Sequence, residues 1–233
     1  MTENNPYAAI AAVFEQARAS DAPLNERLDM LAQAVKRGSP TFSPFVDRLI
    51  GRLRSAGCGQ HAPDAGQLMA NFLLPDTSGR LVSLKEILER GPAIISFYRG
   101  HWCPYCSLSA ESYAHLSATV GAEHMVAITP ELRKLNAQFA VNSGMTYPVL
   151  TDIDCGYALS LGLAFWLDAG FADLMRSVGR DLATYQAGAG WILPIPATFV
   201  VDSHGIVVRR HVDPDYRQRM EVEDLLEAFR SAT

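Results

Sequence analysis

Two cysteines, Cys103 and Cys106, stand three residues apart in the segment FYRGHWCPYC. The apolar run at 93–98 predicts a buried strand before them, and the residues from Pro104 onward predict an amphipathic helix. A thiolate at a helix N-terminus faces unpaired N–H groups and the positive end of the helix dipole, which lower its pKa. Since side chains at i and i+3 share a helix face, the two sulfurs can also form a local disulfide. This pattern predicts thiol redox chemistry.

Other uses of a close cysteine pair fit the sequence less well. A structural zinc site needs four ligands, yet neither Cys58 nor Cys155 belongs to a second CxxC. A c-type haem needs His directly after the second cysteine, where Ser107 stands. We therefore expect neither a metal nor an organic cofactor. Cys58 and Cys155 are interpreted as buried thiols, with a third redox partner as the alternative, and an inert buried pair remains the alternative for Cys103 and Cys106.

Composition and charge limit the class of protein. The 233 residues are 48% apolar and 19% charged, which predicts a compact folded chain. A net charge of −5 without a long block of like charge argues against nucleic acid or anionic lipid as a partner. No apolar run approaches the roughly 20 residues that cross a bilayer, and the N-terminus has no secretory signal pattern. We expect no membrane partner and a cytoplasmic location.

The elements that must position the cysteines follow an α/β pattern. Apolar residues recur at helical spacing through residues 1–57, and a stretch rich in Gly, Pro and Ser follows them. We predict a helical extension at 1–57 and a main domain at 58–233. The strand at 93–98, a helix from Cys103 and a second apolar run at 124–129 form a βαβ unit with parallel strands.

The second half of the chain contains three further signals. Thr129 and Pro130 predict the start of a helix. The runs ATFVVD and GIVVRR flank the turn residues Ser203–Gly205 and predict a β-hairpin. The segment 152–195 fits either helix or buried strand, and we interpret it as an insertion near the site, with a loop at Ala187–Gly190.

The segment FYRGHWCPYC resembles the active site of the peroxiredoxin-like family of alkyl hydroperoxide reductases and thiol-specific antioxidant proteins, a branch of the thioredoxin fold. Supporting matches in GQHAPDAG, LLPDTSGRLVSL, PVLTD and FVVDSHGIVVRRHVDPDYRQR extend the resemblance over roughly 59–230. The resemblance implies a thioredoxin-like α/β fold with a central mixed sheet flanked by helices. It also implies a peroxidase that reduces hydrogen peroxide or organic hydroperoxides, is reduced by thioredoxin-like or low-molecular-weight thiols, and often forms homodimers.

Two alignments give the sulfurs opposite roles. The usual peroxidase site reads Pro, three residues, Thr, two residues, Cys, which puts Cys103 in place of the Thr and Cys106 at the attacking position. In the thioredoxin register Trp102 precedes an attacking Cys103, and Cys106 resolves the intermediate. An N-cap position is usually the more exposed, which favours Cys103 as attacker. The sequence leaves the assignment open.

Residues beside the pair are candidates for supporting roles. The departing oxygen of a peroxide gains negative charge, and Arg99, in the place of the family's Pro, is the nearest cation that could stabilise it. Trp102 is expected to pack beneath the loop, and His101 and Tyr105 are expected at the surface. Arg219, in the DPDYRQR segment, could reach the site, although a turn before a helix explains that segment equally well.

Pro196 stands where the family carries a second arginine. In thioredoxin-like proteins the corresponding Pro is cis and lies against the CxxC, which would turn the Ile195 backbone toward the sulfurs to pair with a disulfide substrate. Two other functions therefore stay open. One is a general dithiol–disulfide oxidoreductase, and the other is a non-enzymatic redox sensor in which disulfide formation alters a partner surface.

Overall fold

The computed structural model describes residues 6–186, 188 and 191–233. Its α-helices are α1 (Pro6–Arg18), α2 (Leu24–Gly38), α3 (Phe42–Ser55), α4 (Leu84–Leu88), α5 (Pro104–Ala114), α6 (Ser117–Val120), α7 (Arg133–Asn142), α8 (Gly156–Ser160), α9 (Ala169–Ser177), α10 (Leu182–Gln186) and α11 (Val222–Ala232). Its strands are β1 (Leu73–Pro75), β2 (Leu81–Ser83), β3 (Ala93–Phe97), β4 (Met125–Thr129), β5 (Val149–Thr151), β6 (Ala164–Trp166), β7 (Ile192–Pro194), β8 (Ala197–Val201) and β9 (Val207–Val212). Short 3-10 helices occupy Ala122–His124 and Ile153–Cys155.

A five-stranded mixed sheet with the order β5-β4-β3-β8-β9 forms the centre of the molecule. Strands β3, β4 and β5 run parallel, whereas β8 is antiparallel to β3 and β9 is antiparallel to β8. The predicted βαβ unit and the predicted hairpin are therefore confirmed, as is the mixed sheet flanked by helices. Two small antiparallel sheets, β1-β2 and β6-β7, lie outside the central one.

The central strand β3 separates two hydrophobic cores. Because side chains alternate along a strand, Ile94 and Tyr98 pack into one core and Ile95 and Phe97 into the other. The first core contains the buried faces of α2, α3, α5 and α11, and the second contains those of α4 and α8. The chain that follows Tyr98, including Cys103 and Cys106, therefore packs in the first core.

Three helices, α1 to α3, lie in the predicted extension, whose first five residues are outside the described part of the chain. Pro23 precedes α2 and offers no side-chain cap, so a distant residue satisfies the free N–H groups. The Glu221 carboxylate accepts hydrogen bonds from the backbone of Leu24 and Asn25, both at 2.9 Å. This contact fixes α2 beside the start of α11. The division into two units at residue 57 stays a prediction.

The helix after β4 starts later than the sequence predicts. The helix predicted to start at Thr129 begins at Arg133 instead, because Thr129 ends β4 and its buried hydroxyl accepts from the Glu131 N–H at 3.0 Å.

The segment 152–195 contains both helices and strands, from α8 to β7. The loop predicted at Ala187–Gly190 lies outside the described residues except for residue 188. Within the described chain, none of the helices has the length and hydropathy of a bilayer span.

Candidate active site

The two cysteines lie where strand β3 passes into helix α5. Cys103 is the N-cap of α5 and Pro104 occupies its first position, while Cys106 lies in the first turn. Both cysteines are free, and both are 0% exposed. The expectation that Cys103 is the more exposed is therefore wrong. Trp102 and Tyr105 pack over this end of α5 together with residues of the N-terminal helices and the Tyr216 ring, which lies 5.3 Å from that of Tyr105.

Arg99 supplies a buried positive charge to Cys103. Its Nη2 atom donates to Cys103 Sγ at 2.9 Å, and its guanidinium carbon lies 3.5 Å from the centre of the Tyr216 ring. The side chain is only 5% exposed, and its Nε atom has no hydrogen-bond partner. In the part of the chain that the structure describes, no carboxylate lies within 4.0 Å of this guanidinium. A buried cation without a carboxylate requires another anion, and the adjacent sulfur is the group that can provide it.

Arg219 supplies a second buried cation from a distant part of the sequence. Its Nη2 atom lies 3.8 Å from Cys106 Sγ, and the residue is 4% exposed. Its Nη1 atom donates to the backbone carbonyls of Tyr216 and Gln218. These two hydrogen bonds fix the guanidinium at the sulfurs without neutralising it. Of the two readings of the DPDYRQR segment, the structure supports the one in which Arg219 reaches the site.

The pKa values of the two cysteines beside these arginines shift in opposite directions. Burial opposes ionisation of Cys103, but the hydrogen bond from Cys106, the charge and hydrogen bond of Arg99 and the charge of Arg219 together bring the pKa of Cys103 well below its usual range. Burial and the adjacent Cys103 raise the pKa of Cys106 well above that range. These opposite shifts in pKa favour one thiolate, on Cys103, beside a neutral thiol on Cys106.

A buried carboxylate anchors the loop between β3 and α5. Glu131 is 0% exposed and accepts from the backbone N–H of His101 at 2.7 Å, and its other oxygen lies 2.7 Å from His101 Nδ1. The carboxylate packs against Gly100, which has a φ of 130°, and a Cβ there would come within 2.3 Å of Glu131 Cδ. His101, expected at the surface, is half-buried and packs edge-on against Tyr185. Glu131 was not among the residues predicted from the sequence. The glycine at position 100 is the signal in the sequence for a close contact with the backbone of this loop.

The structure does not place Pro196 in the role that thioredoxin-like proteins suggest. The described part of the chain contains no cis peptide bond, so the Ile195–Pro196 bond is trans, as in an ordinary proline before a strand and unlike the cis form of thioredoxin-like proteins. The Ile195 N–H donates to the Leu163 carbonyl at 2.6 Å, and the Ile195 side chain packs in the second core. The cysteines belong to the first core. Because this N–H is already bonded to Leu163, it is not free to pair with a disulfide substrate.

Trp102 lies between two arginines at the edge of a cavity of about 130 Å³. The Arg99 and Arg180 guanidinium carbons lie 5.0 and 5.9 Å from its ring centre. The Trp102 Nε1 atom is buried and has no hydrogen-bond partner. Tyr105, also expected at the surface, is buried and lines the same cavity. Neither Tyr105 nor Arg180 could be assigned to this cavity from the sequence.

The remaining two cysteines lie apart from this arrangement. Cys155 is buried, burial raises its pKa, and its sulfur lies 3.8 Å from the Ile192 carbonyl. These properties fit the inert thiol expected from the sequence. Cys58 is partly buried between the two cores, where it follows α3.

An acidified cysteine at the N-terminus of the helix after the central strand of a mixed five-stranded sheet defines a thiol-redox protein of the thioredoxin fold. The Redoxin family pattern matches residues 59–228. The chain therefore belongs to the redoxin family, and it is a peroxiredoxin-like oxidoreductase, a thiol peroxidase. Peroxide as substrate and a thiol as reductant follow from that membership.

Individual relatives agree with this assignment. "Putative peroxiredoxin MT1643" of Mycobacterium tuberculosis strain CDC 1551 is 32% identical over 142 residues, covering 60% of this chain and 89% of that protein. The crystal structure of peroxidoxin BcpB from Mycobacterium tuberculosis is 24% identical with a TM-score of 0.55, covering 72% of this chain and 97% of that one. The structure of reduced Prx3 from Vibrio vulnificus is 14% identical with a TM-score of 0.55, covering 72% and 98%. These two structures support the fold.

Proposed function

We propose that this protein reduces peroxides with Cys103 as the attacking thiolate and Cys106 as the resolving thiol. The observation that carries the proposal is the buried 2.9 Å contact between Arg99 Nη2 and Cys103 Sγ, with no carboxylate of the described residues within 4.0 Å of that guanidinium. A guanidinium donor at that distance stabilises a thiolate and lies next to the place where a second anion will form. Of the two possible registers, this contact favours the thioredoxin order of roles.

In the first step the Cys103 thiolate attacks the terminal oxygen of a peroxide ROOH. A sulfur–oxygen bond forms as the oxygen–oxygen bond breaks, which leaves Cys103 as a sulfenic acid and releases RO⁻, which takes up a proton to become ROH. Negative charge moves from sulfur to the departing oxygen during this step. Arg99 and Arg219 lie beside the sulfurs and can stabilise the negative charge on sulfur and then on the departing oxygen.

In the second step the Cys106 sulfur attacks Cys103 Sγ. A disulfide forms, and the sulfenic hydroxyl leaves as water with the proton of the Cys106 thiol. An external dithiol or two monothiols then return two electrons and two protons. We propose a low-molecular-weight thiol as that reductant, because both sulfurs are buried, with a thioredoxin-like protein as the alternative. The cytoplasmic location and the homodimer stay predictions that accompany this cycle.

Burial of both sulfurs separates a peroxidase from a general disulfide oxidoreductase. A peroxide is small enough to reach Cys103 beside Arg99, whereas a protein disulfide needs an exposed sulfur and a free backbone edge. Cys103 and Cys106 are fully buried, and the Ile195 N–H is already bonded to Leu163. The CPYC spacing suits either activity, but these observations support the first.

The test mixes reduced protein with hydrogen peroxide or with a small disulfide and follows the loss of free thiols. We expect peroxide to oxidise the pair faster than the disulfide does. The opposite order would show a disulfide oxidoreductase, and slow loss with both reagents would show an inert pair. Oxidation by peroxide with little turnover in the presence of any thiol donor would show a redox sensor.

A second measurement assigns the sulfurs. After addition of peroxide, a cyclic 1,3-dione should trap sulfenic acid in the Cys106→Ser variant and not in the Cys103→Ser variant. Label in Cys103→Ser alone would assign the attack to Cys106. Cys155→Ser, which removes a thiol outside the site, is the matched control and should behave as the unaltered chain does.

A further inference from the structure

The cavity beside Trp102 is walled by parts of the chain that lie outside the reacting pair. Ile10, Val35 and Phe42 come from helices α1 to α3, which precede the residues that match the redoxin family. Phe171, Met175 and Val178 come from the segment around α9. The rings of Phe42 and Phe171 lie 6.4 Å apart, so the extension and the α9 segment meet at this wall. The cavity is apolar on both of these sides.

One end of the cavity comes close to the reacting pair, although Cys103 itself is not among its lining residues. Arg99 lines it, and the Arg99 Nη2 atom lies 2.9 Å from Cys103 Sγ. A molecule in the cavity can therefore place one group beside Arg99 while its remainder stays among apolar side chains. A volume of about 130 Å³ is close to that of an engineered protein cavity that binds benzene, at roughly 150 Å³. The space suits one ring or a short branched alkyl group.

A second cation lines the same space. Arg180 is half-buried, lies against Trp102 and lines the cavity. Within the residues that the structure describes, no carboxylate lies within 4.0 Å of the Arg180 guanidinium. The neighbouring arginine, Arg176, is by contrast paired with Asp173 at 3.0 Å. An unpaired guanidinium at an apolar cavity is a site for an anionic group on the ligand, and a carboxylate matches its planar fork.

We propose that the cavity binds the hydrocarbon part of a compact organic hydroperoxide and that Arg180 binds a carboxylate on that molecule. This inference rests on the proposed function, since it names the substrate class of the same site. The hydroperoxide group is directed past Arg99 to Cys103, whose thiolate takes its terminal oxygen. The product alcohol keeps the hydrocarbon part and the carboxylate, so it leaves from the same cavity.

The test compares four oxidants of reduced protein: hydrogen peroxide, cumene hydroperoxide, the para-carboxylated analogue of cumene hydroperoxide, and the methyl ester of that analogue. We expect the acid to react faster than its ester. Arg180→Gln should lower the acid-to-ester ratio of rate constants by roughly tenfold, as expected for loss of a charged hydrogen bond. Arg176→Gln, the matched control, should leave the ratio unchanged. An unchanged ratio in Arg180→Gln would overturn the role of Arg180.

A cavity-filling variant tests the apolar wall separately. Val178→Phe should lower the ratio of the rate constant for cumene hydroperoxide to that for hydrogen peroxide, and Leu174→Phe, on α9 and outside the cavity lining, should not. An unchanged ratio in Val178→Phe would show that the hydrocarbon part binds elsewhere. Oxidation by hydrogen peroxide tests the proposed function, and an unchanged ratio in a variant that hydrogen peroxide still oxidises counts against the cavity alone.

Equilibrium binding decides the inference even without turnover. The carboxylated product alcohol should bind the Cys103→Ser protein and quench or shift its tryptophan fluorescence, because Trp102 borders the cavity. The double variant Cys103→Ser/Arg180→Gln should bind the alcohol more weakly than Cys103→Ser does, by a similar factor of roughly ten. Equal binding by both proteins, or none by either, would refute the carboxylate site while leaving peroxide reduction to stand on its own measurements.

Discussion

Asn25 and Arg219 exchange two hydrogen bonds across the interface between the N-terminal helices and the active site. The Asn25 Nδ2 atom donates to the Arg219 carbonyl at 2.8 Å, and the Arg219 N–H donates to Asn25 Oδ1 at 2.9 Å. The same Nδ2 atom donates to Glu221 at 2.7 Å. The extension thus holds the backbone of a residue whose guanidinium lies beside Cys106.

Replacement of Asn25 should therefore affect both stability and reactivity. We expect Asn25→Ala to lower the free energy of unfolding by about 1–3 kcal/mol, since it removes several part-buried hydrogen bonds. Oxidation by peroxide should also slow, because Arg219 helps to lower the pKa of Cys103. Urea unfolding and thiol-loss kinetics measure the two effects. Asn142→Ala, at an exposed end of α7, is the control, and an equal loss in both variants would contradict the link.

Removal of the Arg99 guanidinium should raise the pKa of Cys103. In Arg99→Gln the thiolate loses its closest charged donor, and burial of Cys103 then disfavours ionisation. We expect the rate constant for peroxide at neutral pH to fall by about ten- to a hundredfold, the equivalent of a charged hydrogen bond. Thiolate ultraviolet absorbance in the Cys106→Ser background reports the pKa. Arg209→Gln, which removes an exposed arginine paired with Asp224, should change neither quantity.

The two sulfurs should give the folding stability a maximum in its pH dependence. Cys103 has a lowered pKa in the folded chain, so its contribution is present above the usual thiol pKa of about 8.5 and is lost as pH falls through the folded value. Cys106 has a raised pKa, so its contribution is lost as pH rises above about 8.5. The free energy of unfolding should rise toward that pH and then fall.

Urea titrations at a series of pH values measure this curve under reducing conditions. Subtraction of the curve for the Cys103→Ser/Cys106→Ser variant isolates the contribution of the pair. Cys103→Ser alone should remove the rising part. A difference curve without slope on either side would show that the two thiols ionise in the folded chain as they do in the unfolded one.

The close contact at Gly100 should make this position intolerant of a side chain. Gly100→Ala combines a φ of 130° with a Cβ only 2.3 Å from Glu131 Cδ, so we expect a loss of about 2–4 kcal/mol in the free energy of unfolding. Gly51→Ala is the matched control, since Gly51 lies inside helix α3 with open space around it. That change should stabilise the protein by about 0.5–1 kcal/mol. A neutral Gly100→Ala would show that the loop can move away from Glu131.

The sequence was sufficient for features that depend on neighbours in the chain. The position of Cys103 at the strand-to-helix junction follows from the apolar run before it and from Pro104 after it. The β8-β9 hairpin follows from its turn residues. Arg99, four residues from Cys103, was identified as the nearest cation for the departing oxygen, and its hydrogen bond to Cys103 places it at the site.

Features that depend on long-range packing were not predictable in the same way. Arg219 and Cys106 are separated by 113 residues, and only the assembled sheet brings them together. Burial of Cys103 arises because the N-terminal helices cover the start of α5, which no local pattern reveals. The bond before Pro196 is trans, and Ile195 continues the pairing of β7, a contact set by the 152–195 segment that periodicity left ambiguous.

The separation in sequence between the two cysteines and Arg219 affects when the site becomes reactive during synthesis. Both thiols emerge from the ribosome well before Arg219, which follows Cys106 by 113 residues. Until that arginine arrives and the first helices close over it, Cys103 lacks part of the charge that acidifies it and remains nearer to an ordinary, slowly reacting thiol. We therefore expect nascent chains to resist early oxidation and to gain full reactivity only when synthesis has passed the last strand.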